Sequence, residues 1–394
     1  MRDHDVVIVG AARTPIGKFQ GAYKDVPATD LGAAAVRAAV ARAGVDGALV
    51  DECIMGNVIG AGLGQAPARQ AALRGGLPDS VGALTINKVC GSGLKAVMLA
   101  GALIRAGEAQ VVVAGGMENM TRGPYLLPQA RGGYRLGNGE LIDATVHDGL
   151  WCAFECHHMG SSAEWIARAF HIGREAQDAF ALESHRRAVA AQDSGRFAAE
   201  IVPIEVPAGK GKTILGADEP PRRDSGAKQL AGLRPAFAAD GSVTAGNAPG
   251  ITDGAAALVL TSARKATELG AVPLARVVGA AQAAVKPLEL FTAPVFAVRK
   301  LLERTGTTMD DYDLFEINEA FAAQVVANGQ ELGIDWDRLN VNGGAIALGH
   351  PIGASGARVL VTLIHALQQR GGRRGLAALC LGGGEAVALA IEIV

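Results

Sequence analysis

Hydrophobic and polar positions along the chain alternate between two kinds of segment. Runs such as "AVRAAVARAG" (35–44) carry apolar residues at helical spacing and end in glycine, which is typical of an amphipathic helix. Runs such as "AQVVVAGGMEN" and "GLAALCLGGGEA" begin with unbroken apolar stretches and run into glycines, which is typical of strands buried on both faces of a sheet. Each of these strands follows a long helix. The pattern therefore predicts an α/β fold whose sheets are covered by helices on both faces.

The same pattern occurs twice along the chain. The helix at 35–44 matches "AVRKLLERTG" (297–306), and each is followed by an acidic turn, a short apolar strand and an asparagine, Asn57 in one case and Asn318 in the other. Further on, "GSGLKAV" and "ASGARVL" begin two long helices in the same way. All these matches lie about 262 positions apart, and a constant offset of this kind indicates internal duplication.

The duplication divides the chain into an N-terminal half, residues 1–270, and a C-terminal half, residues 271–394. Between the repeated units lies a segment at about 121–248 that is dense in glycine, proline and charge and has no counterpart in the second half. We expect this insertion to form a subdomain on top of the first half.

Composition narrows the classes of function. The chain has 394 residues, of which 49% are hydrophobic, so it is long enough for more than one buried core. The net charge is −2 and no basic run is interleaved with aromatic residues, which favours small metabolites over nucleic acid or an acidic membrane surface. The apolar runs are broken by Gly, Arg or Glu short of a membrane span. Five scattered cysteines argue against a disulfide framework and for a reducing compartment, so we expect a cytoplasmic enzyme.

Cys90 stands where a strand-like run turns through "GSG" into a long helix. Unpaired N–H groups at a helix start stabilise an anion, so this position predicts a lowered thiol pKa and a nucleophile. The glycines also leave backbone N–H groups free as oxyanion donors. The alternative is a small buried cysteine beside a tight turn.

His350 occupies the equivalent loop of the second half, "NVNGGAIALGHPIGASGAR", where most neighbours are small. Two halves that face each other about a pseudo-twofold axis bring this loop to Cys90, which is the geometry of a Cys–His pair. Cys380 lies near the end of an apolar strand ahead of three glycines, and Asn318 follows another strand end. Alternatives remain open: loop capping for His350, core packing for Cys380 and N-capping of a helix for Asn318.

Two other motifs indicate less than they first suggest. The segment "WCAFECHHMG" (151–160) contains two cysteines and two histidines, but its spacing matches no common zinc site and no second group pairs with it, so no metal is predicted. The segment "VIVGAARTP" begins like a nucleotide-binding strand, but it lacks the glycine pattern that brings a pyrophosphate to a helix start.

Taken together, these residues resemble the thiolase family over essentially the whole chain. The landmarks are "NKVCGSGLKAV", "VVVAGGMENM", "HHMGSSAE", "LRPAF", "TAGNA", "INEAFAAQ", "NVNGGAIALGHPIGASGAR" and "CLGGG". The resemblance implies a duplicated, layered αβαβα core of two similar halves with an inserted loop domain. The combination of landmarks is far more specific than any single one.

The resemblance also implies a role for each candidate. Cys90 resembles the acylated nucleophile, His350 the base that activates it, and Cys380 the residue that moves the proton of the second substrate. Asn318 resembles the holder of a water that forms one oxyanion hole with His350, and the N–H groups of Cys90 and Gly382 resemble the other hole. Contacts to the thioester and its CoA moiety are implied for His158, Met159, Leu150, Arg222, Ala245, Phe237, Ala320 and Phe321.

The implied activity interconverts two acetyl-CoA with acetoacetyl-CoA and CoA by a ping-pong route, and it could extend to thiolysis of longer 3-ketoacyl-CoA. It belongs to fatty acid metabolism and uses CoA thioesters as substrates with no permanently bound cofactor. The small residues around His350 then fit a tunnel for the pantetheine arm with a dry end for an enolate. "LLPQARGGYRLGNGELIDA" resembles the loop that joins family dimers into homotetramers.

Three positions depart from the usual family pattern, and two alternative functions remain open. Pro249 stands where a serine usually contacts CoA, Glu385 stands where Met or Gln is more usual, and "WCAFEC" is bulkier than the usual polar stretch. The first two keep a catalytically silent acyl-CoA-binding homologue in view. The other alternative is a β-ketoacyl synthase, which decarboxylates its donor and has no need of Cys380.

Overall fold

The computed structural model describes residues 2–394, and within that range the chain forms a large mixed sheet, three two-stranded sheets and helices on both faces of the large sheet. The strands are β1 Val6–Arg13, β2 Gly17–Lys18, β3 Glu52–Gly56, β4 Gly82–Ile86, β5 Val111–Asn119, β6 Tyr125–Leu126, β7 Ile142–Asp143, β8 Trp151–Cys152, β9 His157–His158, β10 Ile204–Ala208, β11 Gly211–Leu215, β12 Thr252–Ser262, β13 Ala275–Ala284, β14 Leu314–Ile317, β15 Arg374–Leu381 and β16 Glu385–Ile393. The helices are α1 Ala28–Ala43, α2 Pro67–Arg74, α3 Ser92–Ala106, α4 Met159–Ala169, α5 Arg174–Asp193, α6 Ala227–Ala231, α7 Ala263–Leu269, α8 Ala293–Thr305, α9 Ala322–Leu332, α10 Ala345–Leu348 and α11 Ile352–Arg370.

The order of strands in the large sheet repeats itself from its centre outward. The order is β14-β15-β16-β13-β1-β12-β5-β3-β4, with β2 paired to β12. From the central pair of β1 and β13, one side reads β1-β12-β5-β3 and the other β13-β16-β15-β14. In both halves the first three strands pair antiparallel and the third pairs parallel with the fourth. This symmetry confirms the duplicated α/β fold.

Helices α3 and α11 pack against each other and share one apolar core with strands of both halves. Close approach is possible because glycines lie at the contact: a Cβ on Gly93 would overlap Ala357, and a Cβ on Gly356 would overlap Leu94. Helix α1 covers the other face of the first half, and α8 covers the other face of the second. The paired helix starts therefore place the loops that precede them, with Cys90 and His350, side by side.

The insertion lies between the end of β5 at Asn119 and the start of β12 at Thr252. It contributes β6 to β11 and α4 to α6, together with an irregular π-type turn at Thr145–Leu150. Helix α4 packs against α9 and the turn Pro287–Thr292, both of which belong to the second half. The insertion therefore covers more than the first half, because its apolar cluster is completed by side chains of α9 and by Cys380.

Helix α3 belongs to a stretch, Val89–Ala106, that is long and apolar enough to cross a membrane by length and composition. The helix is half buried and packs against α11 in the core. Its apolar character is explained by that packing.

Candidate active site

The loops ahead of α3 and α11 open into a cavity of about 270 Å³ beneath the insertion. Its wall is mostly apolar, and it combines residues from both halves with residues from the insertion. Eleven of the predicted catalytic and substrate-binding residues line this cavity, namely Cys90, Leu150, His158, Met159, Phe237, Ala245, Ala320, Phe321, His350, Cys380 and Gly382.

Cys90 is held in a tight turn between β4 and α3. Val89, directly before it, has φ of 45°, a backbone conformation that β-branched residues rarely adopt. The Ser92 hydroxyl secures the turn by accepting from the Lys88 N–H at 2.8 Å and donating to the Val89 carbonyl at 2.7 Å. The chain therefore holds the nucleophile's backbone in a strained but bonded conformation at the wall of the cavity.

Burial raises the pKa of the Cys90 thiol to about 12, and hydrogen bonds from the N–H groups of Gly382 and of Cys90 itself oppose the rise. The sequence-based expectation of a lowered pKa is therefore wrong for the resting protein. Burial is a property of the folded surroundings that a helix-start pattern does not reveal. A thiol with this pKa needs a base beside it before it can attack.

His350 has the properties of such a base. Its Nδ1 lies 2.6 Å from the Ser355 hydroxyl, which in turn donates to the Pro351 carbonyl at 2.9 Å. Since that hydroxyl proton is engaged, the hydroxyl accepts from Nδ1–H, and we assign the proton to Nδ1 and the lone pair to Nε2. Burial, aided by the positive charge of Arg358, lowers the His350 pKa to about 3. The imidazole is therefore neutral at physiological pH.

Asn318 lies behind His350, outside the lining of the cavity. Its Nδ2 is 3.4 Å from His350 Nε2, and its buried Oδ1 has no hydrogen-bond partner in the described protein. Phe321 rather than Asn318 occupies the N-cap position of α9, so the N-capping alternative is wrong. An unpartnered buried oxygen next to the base is suited to accept from a water molecule.

Cys380 lies on the cavity wall at the end of β15 and is 1% exposed. Burial, and next the neighbouring Cys90, raise its pKa well above the usual value of a thiol. The Glu385 carboxylate, close along the chain, is paired with Lys88 and is not among the groups that shift the Cys380 pKa. Cys380 also belongs to an apolar cluster, so the core-packing alternative describes its surroundings without removing it from the site.

The wall on the insertion side is aromatic. The His158 ring stacks on Phe237 with centroids 4.8 Å apart, and Phe237 meets Phe321 edge to face at 6.2 Å. Gly160 lies at the start of α4, and it has no room for a Cβ because the Phe237 ring fills the space. The backbone N–H of Gly160 donates to His158 Nδ1, which fixes the orientation of that ring. Pro249 lines the cavity as well.

Arg222 is the exception among the predicted substrate-binding residues. It is exposed and does not line the cavity, and its backbone N–H donates to Nδ1 of His185. Its proposed contact with substrate has no support in this geometry.

The cysteines and histidines of "WCAFECHHMG" serve separate purposes. Cys152 is buried, Cys156 is exposed, and His157 bonds the Ser162 hydroxyl at 2.9 Å. Over residues 2–394, no group of three His, Cys, Asp or Glu side chains is arranged to hold a metal ion.

No functional role was predicted from the sequence for two residues that organise the site. Ser355 fixes the tautomer of His350, and its only signal was its place in the repeat, opposite Ser92. Glu118 fastens the loop after β3 to the start of α11 by accepting from the N–H groups of Val58, Ile59 and Gly353. Burial raises the pKa of Glu118 to about 7, against the effect of these donors.

Comparison with known proteins places this geometry in a family. Residues 6–264 match the model of the thiolase N-terminal domain, and residues 271–393 match that of the thiolase C-terminal domain. The chain is 53% identical over 388 residues to an acetyl-CoA acetyltransferase of Pseudomonas aeruginosa, covering 98% of this chain and 99% of that protein. It is 54% identical over 387 residues to an acetyl-CoA acetyltransferase of Escherichia coli, covering 98% of each.

Solved structures agree with the sequence relatives. The crystal structure of the Bacillus anthracis acetyl-CoA acetyltransferase superposes with a TM-score of 0.97 at 47% identity, covering 99% of each chain. With both domain models matched in order and relatives at more than half identity over nearly the full length, the chain belongs to the thiolase family.

Proposed function

We propose that the chain is an acyl-CoA C-acyltransferase that interconverts two acetyl-CoA with acetoacetyl-CoA and CoA through an acyl-cysteine. The observation that carries this proposal is the meeting of two thiols with raised pKa values and one neutral imidazole in a single apolar cavity. Relatives named acetyl-CoA acetyltransferase support the same activity. The substrates are the CoA thioesters, and no resident cofactor takes part.

The first half-reaction acylates Cys90. His350 Nε2 takes the thiol proton, the sulfur attacks the carbonyl carbon of acetyl-CoA, and the carbonyl oxygen is held by the N–H groups of Cys90 and Gly382. The bond from that carbon to the CoA sulfur breaks as the tetrahedral intermediate collapses. The Cys380 thiol gives its proton to the departing sulfur, so CoA leaves as a thiol.

The second half-reaction forms the carbon–carbon bond. The Cys380 thiolate, left without its proton, removes a methyl proton from a second acetyl-CoA, while the His350–Asn318 pair and a water hold the enolate oxygen. The enolate carbon attacks the acyl group, the bond to the Cys90 sulfur breaks, and the imidazolium of His350 returns its proton to that sulfur. All three groups thereby regain their starting protonation at the end of the cycle.

The alternatives fit the site less well. A decarboxylating β-ketoacyl synthase has no use for a proton carrier at Cys380, yet this thiol lines the cavity beside Cys90. A silent acyl-CoA-binding protein has no need of the Ser355 bond that sets the tautomer of His350. Pro249 and Glu385 leave this polar arrangement intact.

An assay of CoA release from acetyl-CoA alone, and of acetoacetyl-CoA cleavage by added CoA, tests the proposal. We expect both activities, and a series of longer 3-ketoacyl-CoA substrates measures how far chain length is tolerated. Activity that requires malonyl-CoA would favour the synthase, and binding without turnover would favour the silent homologue.

We further propose a cytoplasmic homotetramer, a dimer of dimers, acting in fatty acid metabolism. Free cysteines throughout support a reducing compartment. The insertion exposes several large apolar side chains in the segment 126–144 that is predicted to join dimers, namely Leu127, Tyr134, Leu136 and Leu141. Leu136 is 100% exposed in the isolated chain, so a Leu136→Asp protein should scatter light with the mass of a dimer where the parent scatters as a tetramer. A parent with the mass of a single chain would contradict the proposal.

A further inference from the structure

Two loops from different halves of the chain supply the N–H groups around the Cys90 sulfur. One is the turn between β4 and α3 that contains Cys90, and the other is the glycine hairpin between β15 and β16 that begins at Gly382. Gly382 and Cys90 line the same cavity across this boundary, and the Gly382 N–H is one of the groups that lower the Cys90 pKa against the effect of burial. The spacing of the two oxyanion donors therefore depends on how these loops lie against each other.

Lys88 and Glu385 bridge the same two loops with an ion pair. Nζ of Lys88 donates to both carboxylate oxygens of Glu385, at 2.6 Å to Oε1 and 2.7 Å to Oε2. Lys88 is 19% exposed and Glu385 is 38% exposed, so the pair lies at the edge of the packed interior. Lys88 immediately precedes Val89 and Cys90, and Glu385 immediately follows the hairpin.

Beneath the ion pair the loops are in direct contact. A Cβ on Gly91 would overlap the Leu381 side chain, and a Cβ on Gly382 would lie 3.2 Å from Val89 Cγ1. Val89 is the residue with the unusual positive φ. A small displacement of the hairpin would therefore move both the Gly382 N–H and the turn that holds the nucleophile.

We propose that Lys88 and Glu385 are positioning residues that set the spacing between the N–H groups of Cys90 and Gly382. Donors of this kind act only within a narrow range of distances from the developing oxyanion, which makes their relative placement part of the catalytic geometry. The inference rests on the proposed function, because it concerns the hole that holds a thioester oxygen during acyl transfer.

The expected signature is a loss in kcat with little change in KM. Lys88→Met and Glu385→Gln should each lower kcat for thiolysis of acetoacetyl-CoA by about tenfold, since misplacing reacting groups by 1 Å costs up to ~100-fold. The melting temperature should hardly change, because a partly exposed ion pair contributes little to stability. The Lys88→Met/Glu385→Gln double variant should lose no more activity than either single variant, because each single change already removes the bridge.

The experiment measures kcat, KM and melting temperature for the parent, the two single variants and the double variant. Lys95→Met is the matched control: it removes one positive charge from α3 near the same loops, and its partner is Gln282 rather than Glu385. We expect the control to keep the parent's kcat. Additive losses in the double variant, an equal loss in the control, or a change confined to KM would overturn the inference. A parent without thiolysis would instead remove the proposed function, and the inference with it.

Discussion

The two halves of the molecule build equivalent sites, and only one of them is a cavity. In the second half, Asn318 follows β14 and Cys380 lies near the end of β15; in the first half, Asn57 follows β3 and Glu118 lies near the end of β5. The pairing registers of β14 with β15 and of β3 with β5 make these positions correspond. A thiol in one half therefore occupies the place of a carboxylate in the other.

The carboxylate fills its site completely. Glu118 accepts from the N–H groups of Val58, Ile59 and Gly353 and from the side chain of Asn57. A Cβ on Gly353 would overlap the carboxylate, so this site leaves no space at the start of α11. In the other half, Cys380 accepts no such set of donors, and the space beside it remains open to substrate.

The comparison shows how a duplicated scaffold separates stability from reactivity. Backbone donors and strand ends recur in both halves, and the side chain at one position decides whether they lock two loops together or face a ligand. Substitutions at each site in turn test whether one half contributes mainly to stability and the other mainly to reactivity.

The largest effect is expected at the nucleophile. Cys90→Ala should abolish acetyl transfer, a loss on the order of 10⁴-fold or more, because no covalent intermediate can form. Incubating the parent with acetyl-CoA should add one acetyl group to the peptide that contains Cys90. Cys156→Ala, which changes an exposed thiol, is the control and should keep full activity. Acetyl label on the Cys156 peptide instead would refute the assignment.

Cys380→Ala should separate the two half-reactions. The first should still acetylate Cys90, but more slowly than in the parent, because the departing CoA sulfur has lost its proton donor. Exchange of acetyl-CoA methyl protons with deuterated water should slow further, by about 10²–10⁴-fold, since the positioned base is lost. Mass spectrometry of both products in one sample measures the two steps. Normal deuterium uptake would mean that another group is the base, and complete loss of acetylation would mean that the first step or the fold cannot do without Cys380.

Ser355→Ala should lower kcat by about 10–100-fold without removing activity, because Nδ1 loses the partner that sets its tautomer. Burial keeps the pKa of His350 at about 3, so the parent's base stays neutral from pH 5 to 8 and the loss should not vary over that range. Thr362→Ala removes another buried hydroxyl from α11, one that contacts Glu200, and it serves as the control for stability alone. Equal kcat losses in the two variants would show that Ser355 acts through the fold.

Glu118→Gln tests the site in the first half, where Glu118 joins two loops. It should lower the free energy of unfolding more than it lowers kcat. An amide group that faces N–H donors leaves buried groups unpaired, at about 1–3 kcal/mol each. Because burial raises the Glu118 pKa to about 7, its folded form binds a proton more tightly than its unfolded form. The stabilisation that Glu118 contributes to the free energy of unfolding is therefore full below pH 4.5 and is lost as the pH rises to about 7.

Urea unfolding of the parent and of Glu118→Gln at several pH values measures that contribution. The parent's advantage in unfolding free energy should shrink between pH 5 and 8, by on the order of 2–3 kcal/mol. Glu108→Gln, at an exposed position, should show no such trend. A constant difference between parent and Glu118→Gln would mean that the carboxylate does not titrate in the folded protein over this range.

The sequence by itself determined the fold class, the duplication and the pairing of Cys90 with His350. Helical spacing, unbroken apolar strands and constant offsets are local or repeated patterns. They can be recognised in the sequence without knowing how the elements pack. The duplication also predicted that the loops ahead of α3 and α11 meet, since the two halves face each other about a pseudo-twofold axis. The family resemblance then supplied Cys380, Asn318 and Gly382, which the structure brings to the same place.

Only the tertiary structure decided the protonation states and the connections between the halves. The pKa of Cys90 rises rather than falls because burial, which depends on residues far along the chain, outweighs the donors at the helix start. The tautomer of His350, the lock at Glu118 and the Lys88–Glu385 bridge all require knowing which atoms meet across the two halves. The exposure of Arg222 outside the cavity follows the path of the insertion, which carries no repeat or periodic pattern to place it.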